Sequence, residues 1–225
     1  MIYRELFDKD MINQTFNNSK LLHVLFDQKL HPIEQEIITV KKGEFLFLEN
    51  EIHDSIYLVA EGLIIVWKSA HVIHIVGKRE FVGLDSILAN EKSFFSAEAL
   101  GDAILWRFSK EEVVCKLMNL QEGIFYLYSD LKTVNVRLLQ KKMLQRKNSK
   151  IRILSNMIQL GKKYGEESPE LIKLPSILNK RIIANYSNAN HATMSVACRE
   201  LTNDSILEET PQLVINKTRV KKPMI

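Results

Sequence analysis

Two short amphipathic segments, joined by small and Asx residues between Asn179 and Leu207, constrain this chain more than any other stretch. Lys180–Tyr186 reads as a helix with Ile182, Ile183 and Tyr186 on its apolar side. Ser187-Asn188-Ala189-Asn190 favours a tight turn and a helix N-cap. From His191 to Asn203 the apolar residues Met194, Ala197, Cys198 and Leu201 recur at i, i+3, i+4 and i+7, one face of a 3.6-residue period. His191, Thr193, Ser195 and Arg199 fall on the other face, and Ile206-Leu207 closes the helix. Two helices, a tight turn and a polar outer face on the second make the helix-turn-helix pattern. Alone, the pattern equally describes a helical hairpin whose polar face meets water.

The flanking residues favour the sharper reading. Gln212–Ile215 reads as a strand, Asn216-Lys217 as a turn and Thr218–Val220 as a second strand, so a hairpin follows the reading helix as a wing. Its Lys217, Arg219, Lys221 and Lys222 suit phosphate oxygens. Upstream, Ile151–Lys163 is expected to be helical and to bury Ile151, Leu154, Met157 and Ile158. Gly165–Pro169 breaks the chain, and Leu171–Pro175 reads as a short strand.

The N-terminal half has a different rhythm. Met1–Phe7 and Leu21–Phe26 read as short helices. From Ile37 on, β runs of about five residues alternate with turns. Ile37–Val40 and Phe45–Leu48 are read as one hairpin, and Ser55–Ala60 and Leu63–Trp67 as a second, turning at Glu61-Gly62. Val72–Val76 and Ala103–Phe108 complete an antiparallel sandwich or barrel. Ser109-Lys110-Glu111-Glu112 is a capping box that opens a helix.

Taken together, these features resemble the Crp/Fnr superfamily of transcription factors and, within it, the PrfA-like branch. Ile56–Gly62 resembles the strand and turn of the cyclic-nucleotide-binding β-roll, and Phe81-Val82-Gly83 the opening of its phosphate cassette. The fold class implied is α+β: an N-terminal cyclic-nucleotide-binding-like antiparallel β-roll, a long dimerisation helix and a C-terminal winged helix-turn-helix. The expected domains are 1–120, 121–147 and 148–225.

The chain departs from the family where chemistry matters. The family places a Glu after the cassette glycine for the ribose and an Arg before Ser-Ala for the cyclic phosphate. Here Leu84 follows Gly83, and Phe94-Phe95 precede Ser96-Ala97. A buried phosphate without a cation is heavily penalised, so cyclic-nucleotide binding is not expected. Trp67, Leu84, Phe94 and Phe95 are the candidate lining of an effector pocket, although aromatics at strand positions more commonly serve as core. In the reading helix, the family's base-reading Arg, Glu and Arg fall on His191, Ala192 and Val196, so a different operator is implied. His191 and Ser195 suit base edges, Val196 a thymine methyl, and Asn190, Thr193, Arg199 and Lys180 the backbone.

Between the halves, Gln121–Lys147 is expected to be one helix. Ile124, Leu127, Leu131, Val134 and Leu138 repeat at heptad spacing, and the resemblance makes this row a parallel homodimer seam. Lys141, Lys142, Arg146, Lys147, Lys150 and Arg152 then read as a solvated basic face, with a stiff helical hinge near Gln145–Ser149.

Composition agrees without deciding. A net charge of +4 permits a nucleic-acid partner but does not require one. Two cysteines, Cys115 and Cys198, stand outside any CxxC, arguing against a disulfide framework or a thiolate-held metal. No apolar run is long enough to span a bilayer and no leader pattern opens the chain, so a cytoplasmic location is expected. No nucleophile elbow, P-loop, GxGxxG or HExxH occurs, so the expectation is a regulator without a cofactor and not an enzyme. Expected partners are double-stranded DNA, a second copy of the chain, RNA polymerase and an unidentified small-molecule effector. The rival readings are a regulator whose DNA binding has weakened, and a sensor module acting through protein partners.

Overall fold

The computed structural model describes residues 9–88 and 90–220. The helix expected over Met1–Phe7, and the wing lysines Lys221 and Lys222, lie outside the described residues. The chain divides into two units at Arg137/Leu138.

The first unit opens with helices α1 (Lys9–Thr15) and α2 (Asn18–Phe26). Eight strands follow: β1 (Gln35–Val40), β2 (Phe45–Phe47), β3 (Ser55–Glu61), β4 (Ile64–Lys68), β5 (His71–Val76), β6 (Phe81–Val82), β7 (Ser96–Ala99) and β8 (Ala103–Ser109). They form two four-stranded antiparallel sheets, ordered β1-β8-β3-β6 and β2-β7-β4-β5. Val40, Tyr57, Val59 and Leu105 from the first sheet pack on Phe47, Ile64, Val66 and Ala97 from the second. Each sheet therefore buries one face in a shared core, the arrangement of a closed roll.

This topology corrects both expected hairpins. β1 pairs with β8, and β2 with β7. β3 pairs with β8 and β6, whereas β4 pairs with β5 and β7. The two strands of each expected hairpin thus lie in opposite sheets, whereas β4 and β5 are neighbours in one sheet. Gly62 makes one crossing at φ +91°, where an added Cβ would lie 2.7 Å from the Ala103 Cβ.

Helix α3 (Lys110–Met118) is capped by Ser109, whose hydroxyl accepts from the Glu112 amide at 3.4 Å. The Glu112 carboxylate accepts instead from the Glu34 amide, tying α3 to the approach to β1. Helix α4 (Ile124–Gln145) starts in this unit and runs into the second.

The second unit holds α5 (Ser149–Tyr164), α6 (Lys180–Tyr186) and α7 (His191–Asn203). Its sheet, β9 (Glu166–Glu167), β10 (Leu171–Lys173), β11 (Leu207–Glu209) and β12 (Leu213–Asn216), is ordered β11-β12-β10-β9. On α5, Ile153 is buried alongside Leu154, Met157 and Ile158, whereas Ile151 is only half-buried. The two units divide earlier than the expected hinge at Gln145–Ser149, and that stretch is not one continuous helix, since α4 ends at Gln145. Asn148 accepts from the Ile151 amide at 2.9 Å, and this N-cap starts α5 afresh.

The wing also differs from expectation. Its hairpin is β11–β12, one strand earlier, and Lys217–Arg219 form a 3-10 turn rather than the start of a strand. Ser205, at φ +56°, ends the helical region, so Ile206-Leu207 lead into β11 instead of prolonging α7.

Gly62→Ala is expected to lower the stability of the first unit by about 2–4 kcal/mol, because it adds left-handed strain to a clash with Ala103. Urea unfolding of the wild type and variant measures the difference; an unchanged midpoint contradicts the assignment.

Candidate nucleic-acid interface and effector cavity

Helix α7 begins at an Asn190 cap, whose side chain accepts from the Thr193 amide at 2.8 Å. The cap consumes the Asn190 oxygen that was expected to meet DNA. Met194, Ala197, Cys198 and Leu201 are buried in one cluster with Leu154, Met157 and Ile183. Burial pushes the Cys198 thiol up to about 11, so it behaves as a small core residue. His191, Ala192, Ser195, Val196 and Arg199 are exposed, and Thr193 is half-buried.

The turn before α7 is held from α5. Arg152 donates from Nε to the Ser187 carbonyl at 2.8 Å and from Nη2 to the Asn188 carbonyl at 3.3 Å. Asn156 donates to the Ser187 hydroxyl at 3.0 Å, deep in the unit. Asn188 takes the left-handed conformation at φ +50°, which its short polar side chain tolerates. Sequence reasoning placed Arg152 on a solvated basic face; it is instead the clamp of the turn.

Other expected cations are also engaged. Lys180 pairs with Glu209, and Lys217 with Glu167 at 2.8 Å. Lys150 pairs with Asp204 at 2.7 Å. Lys141 lies 4.2 Å from the Tyr186 ring centre, and burial lowers its pKa to about 8. Arg181, Arg199 and Arg219 are exposed and make no ion pair among the described residues.

On α4 the expected seam splits in two. Ile124, Leu131 and Leu138 are exposed. Leu127 packs on the first unit's core, and Val134 lines a cavity of that unit. At 100° per residue, Leu127 and Val134 sit on the flank nearest the roll, while Tyr128 and Asn135 complete the outward row. Exposed Leu139 and Met143 extend the apolar surface along the same helix.

The cavity that Val134 lines encloses ≈ 50 Å³ among Phe47, Phe95, Leu84, Glu80, Asp85, Asp130 and Arg137. Small-molecule sites usually need about 300–1,000 Å³. Of the expected lining, Leu84 and Phe95 are present, whereas Trp67 and Phe94 are not. Phe94 is 59% exposed, with the Lys68 ammonium 4.0 Å from its ring centre. Trp67 belongs to the roll wall, and its indole nitrogen is buried without a partner.

Charge around this cavity is acidic. Arg137 donates to Glu80 at 2.7 Å, so the cation nearest the cavity is already paired. Burial, reinforced by Asp85 and Glu80 and opposed by Arg137, raises Asp130 to about 6. Burial also raises Asp85, whose Oδ2 lacks a hydrogen-bond partner. Sequence reasoning missed these carboxylates, since no motif marks them. It also missed His53, stacked 4.0 Å from Phe47 and bonded to the Ser55 carbonyl and Ser86 hydroxyl beside Gly83.

Residues 37–119, most of the roll, match the family model of the cyclic nucleotide-binding domain. This match coincides with the two-sheet roll of the first unit.

Most of the chain shares its fold with solved structures. FixK2 from Bradyrhizobium japonicum aligns with a TM-score of 0.73 at 16% identity, covering 85% of this chain and 96% of that one. A cyclic nucleotide-binding domain containing protein from Listeria monocytogenes aligns at 0.70 and 19% identity, covering 91% and 99%. CLP of Xanthomonas campestris, a c-di-GMP-responsive global regulator of virulence gene expression, aligns at 0.65 and 15% identity, covering 81% and 94%. At these identities the likeness is one of fold. No curated protein sequence matches the chain significantly. Among the described residues no cluster of three or more His, Cys, Asp or Glu is arranged to hold a metal, and no helix is long and apolar enough to cross a membrane.

Asp130 sets a pH dependence with a definite sign. Its folded pKa lies above the unfolded value of 3.8, so the folded state holds the proton more tightly. Stability from this group is present near pH 4 and is lost as pH rises through about 6. Asp130→Asn is expected to stabilise the chain by about 1–3 kcal/mol at pH 7 and to change little near pH 4. Urea titrations at both pH values check it; destabilisation at pH 7 refutes it.

Proposed function

We propose that the chain is a DNA-binding transcription regulator of the Crp/Fnr type, working as a homodimer on a two-fold operator. One observation carries this reading: α7 buries Met194, Ala197, Cys198 and Leu201 and turns His191, Ser195, Val196 and Arg199 outward. A helix N-terminus with exposed hydrogen-bonding side chains fits the major groove. His191 and Ser195 read base edges, Val196 meets a thymine methyl, and Arg199, Arg181 and Arg219 hold phosphates. Thr193 supports the helix start. Lys180 and Lys217 reach DNA only by exchanging their carboxylate partners. The global-regulator role of the structurally similar CLP supports the assignment. Placement in the PrfA-like branch and RNA polymerase as a partner rest on sequence resemblance, and a cytoplasmic location fits such a regulator.

In this reading a second copy covers the outward row of α4, namely Ile124, Tyr128, Leu131, Asn135 and Leu138. A buried Asn in such a row selects register and strand number. The roll acts without cyclic nucleotide: the cavity is small and acidic, and Arg137 is committed to Glu80.

His191→Ala is expected to weaken specific DNA binding by about 1–3 kcal/mol while leaving random-sequence binding intact. Gel-shift titrations on both DNAs decide; equal losses refute base reading. Leu131→Glu is expected to shift the chain from dimer to monomer in sedimentation equilibrium, and an unchanged dimer moves the seam elsewhere.

A further inference from the structure

The outer side of the roll carries a second cavity, separate from the one that Asp130 lines. It encloses ≈ 340 Å³ and opens between α2, the end of β3 and the turn from β5 to β6. Its size falls within the range of small-molecule sites.

Local strand geometry creates the opening. The β3–β8 ladder slips between Val59 and Glu61, leaving Ala60 in a bulge. Bulges of this kind redirect side chains and often border functional sites. The following turn docks on the bulge: the Arg79 amide donates to the Val59 carbonyl at 2.8 Å, and the Val59 amide to the Glu80 carbonyl at 3.0 Å. Arg79 holds φ +66°, a left-handed conformation unusual for a long side chain. Strain retained in a surface turn points to a role for the residue it presents.

The lining has two chemistries. Leu58 is buried in the floor, and Phe26 meets Trp106 edge-on at 4.9 Å to form an aromatic wall. At the mouth stand Lys78, Arg79 and His23, all exposed, and no acidic side chain lines the cavity. Among the described residues neither Lys78 nor Arg79 makes an ion pair. An apolar slot with a cationic mouth complements an apolar molecule ending in one carboxylate.

We propose that this cavity binds a small amphipathic carboxylate, its hydrocarbon body against Phe26, Trp106 and Leu58 and its carboxylate between Lys78 and Arg79. The site is independent of the DNA-reading proposal, because it rests on residues of the first unit alone. An open-chain acid and an arylalkanoic acid share the required chemistry.

Isothermal titration calorimetry on the full chain tests it, with octanoate and 4-phenylbutyrate as probes and octanamide as the neutral control. One or both acids are expected to bind with one site per chain and at least tenfold more tightly than octanamide; the stronger acid identifies the source class. The paired substitution Lys78→Gln and Arg79→Gln is expected to weaken that binding at least tenfold, with an unchanged unfolding midpoint in the absence of probe. Absence of heat with both acids at millimolar concentration, equal binding of octanamide, or undiminished binding by the paired variant each overturns the proposal. A failure of specific DNA binding leaves the result readable, because no arm of the calorimetry uses DNA.

Discussion

Burial of the Met194–Leu201 row against α5 and α6 determines which side of α7 meets solvent. Four apolar side chains in that cluster fix the rotation of the helix about its own axis. Turning it by half a turn would expose them and drive Ser195 and Arg199 into an apolar core, at several kcal/mol. Arg152 and Asn156 complete the constraint by fastening the carbonyls and hydroxyl of the preceding turn. The polar face is therefore presented by packing, and the charges around it only refine the surface. Lys180, Lys217 and Lys150 are paired within the unit, which leaves fewer open cations than a count of basic residues suggests.

The roll shows the complementary case, in which a fold persists while its site chemistry changes. Residues 37–119 match the family model of the cyclic nucleotide-binding domain, but the cavity beside α4 presents Glu80, Asp85 and Asp130. An anionic ligand would enter against these carboxylates, and the guanidinium beside them is held by Glu80. Asp130 on α4, raised by burial to about 6, and the Arg137–Glu80 pair connect this helix to the roll. The outer cavity at Lys78 and Arg79 has the opposite electrostatic character. One domain thus offers two chemically distinct surfaces.

Local periodicity carried much of this architecture. The bounds of α6 and α7, and the buried row of α7, follow directly from the 3.6-residue spacing. The longer strands were legible as β runs bounded by turns, but β7 and β9 were not, nor were strand partners. Which strands pair depends on which faces close the core, so β1–β2 and β3–β4 looked like hairpins although each pair divides between sheets. β6, at two residues, is too short to show alternation. Ile206-Leu207 continued the apolar rhythm of α7, and only the left-handed Ser205 ends it. Ion pairs were the least legible feature: Glu209 lies 29 residues from Lys180, and Glu167 lies 50 from Lys217. The acidic cavity joins α4 to the Phe81–Leu84 segment, but the carboxylates of Glu80, Asp85 and Asp130 belong to no motif. Leu127 and Val134 fit a heptad row as well as the exposed residues do, and only the position of the roll separates them.

Hydroxyl-radical footprinting of the native chain on its bound duplex, performed at low and physiological salt, bears most directly on the central claim. A paired presentation of α7 predicts two protected half-sites centred about one helical turn, 10–10.5 base pairs, apart and related by a two-fold axis. A single protected patch, or protection that does not depend on sequence at either salt concentration, would contradict it.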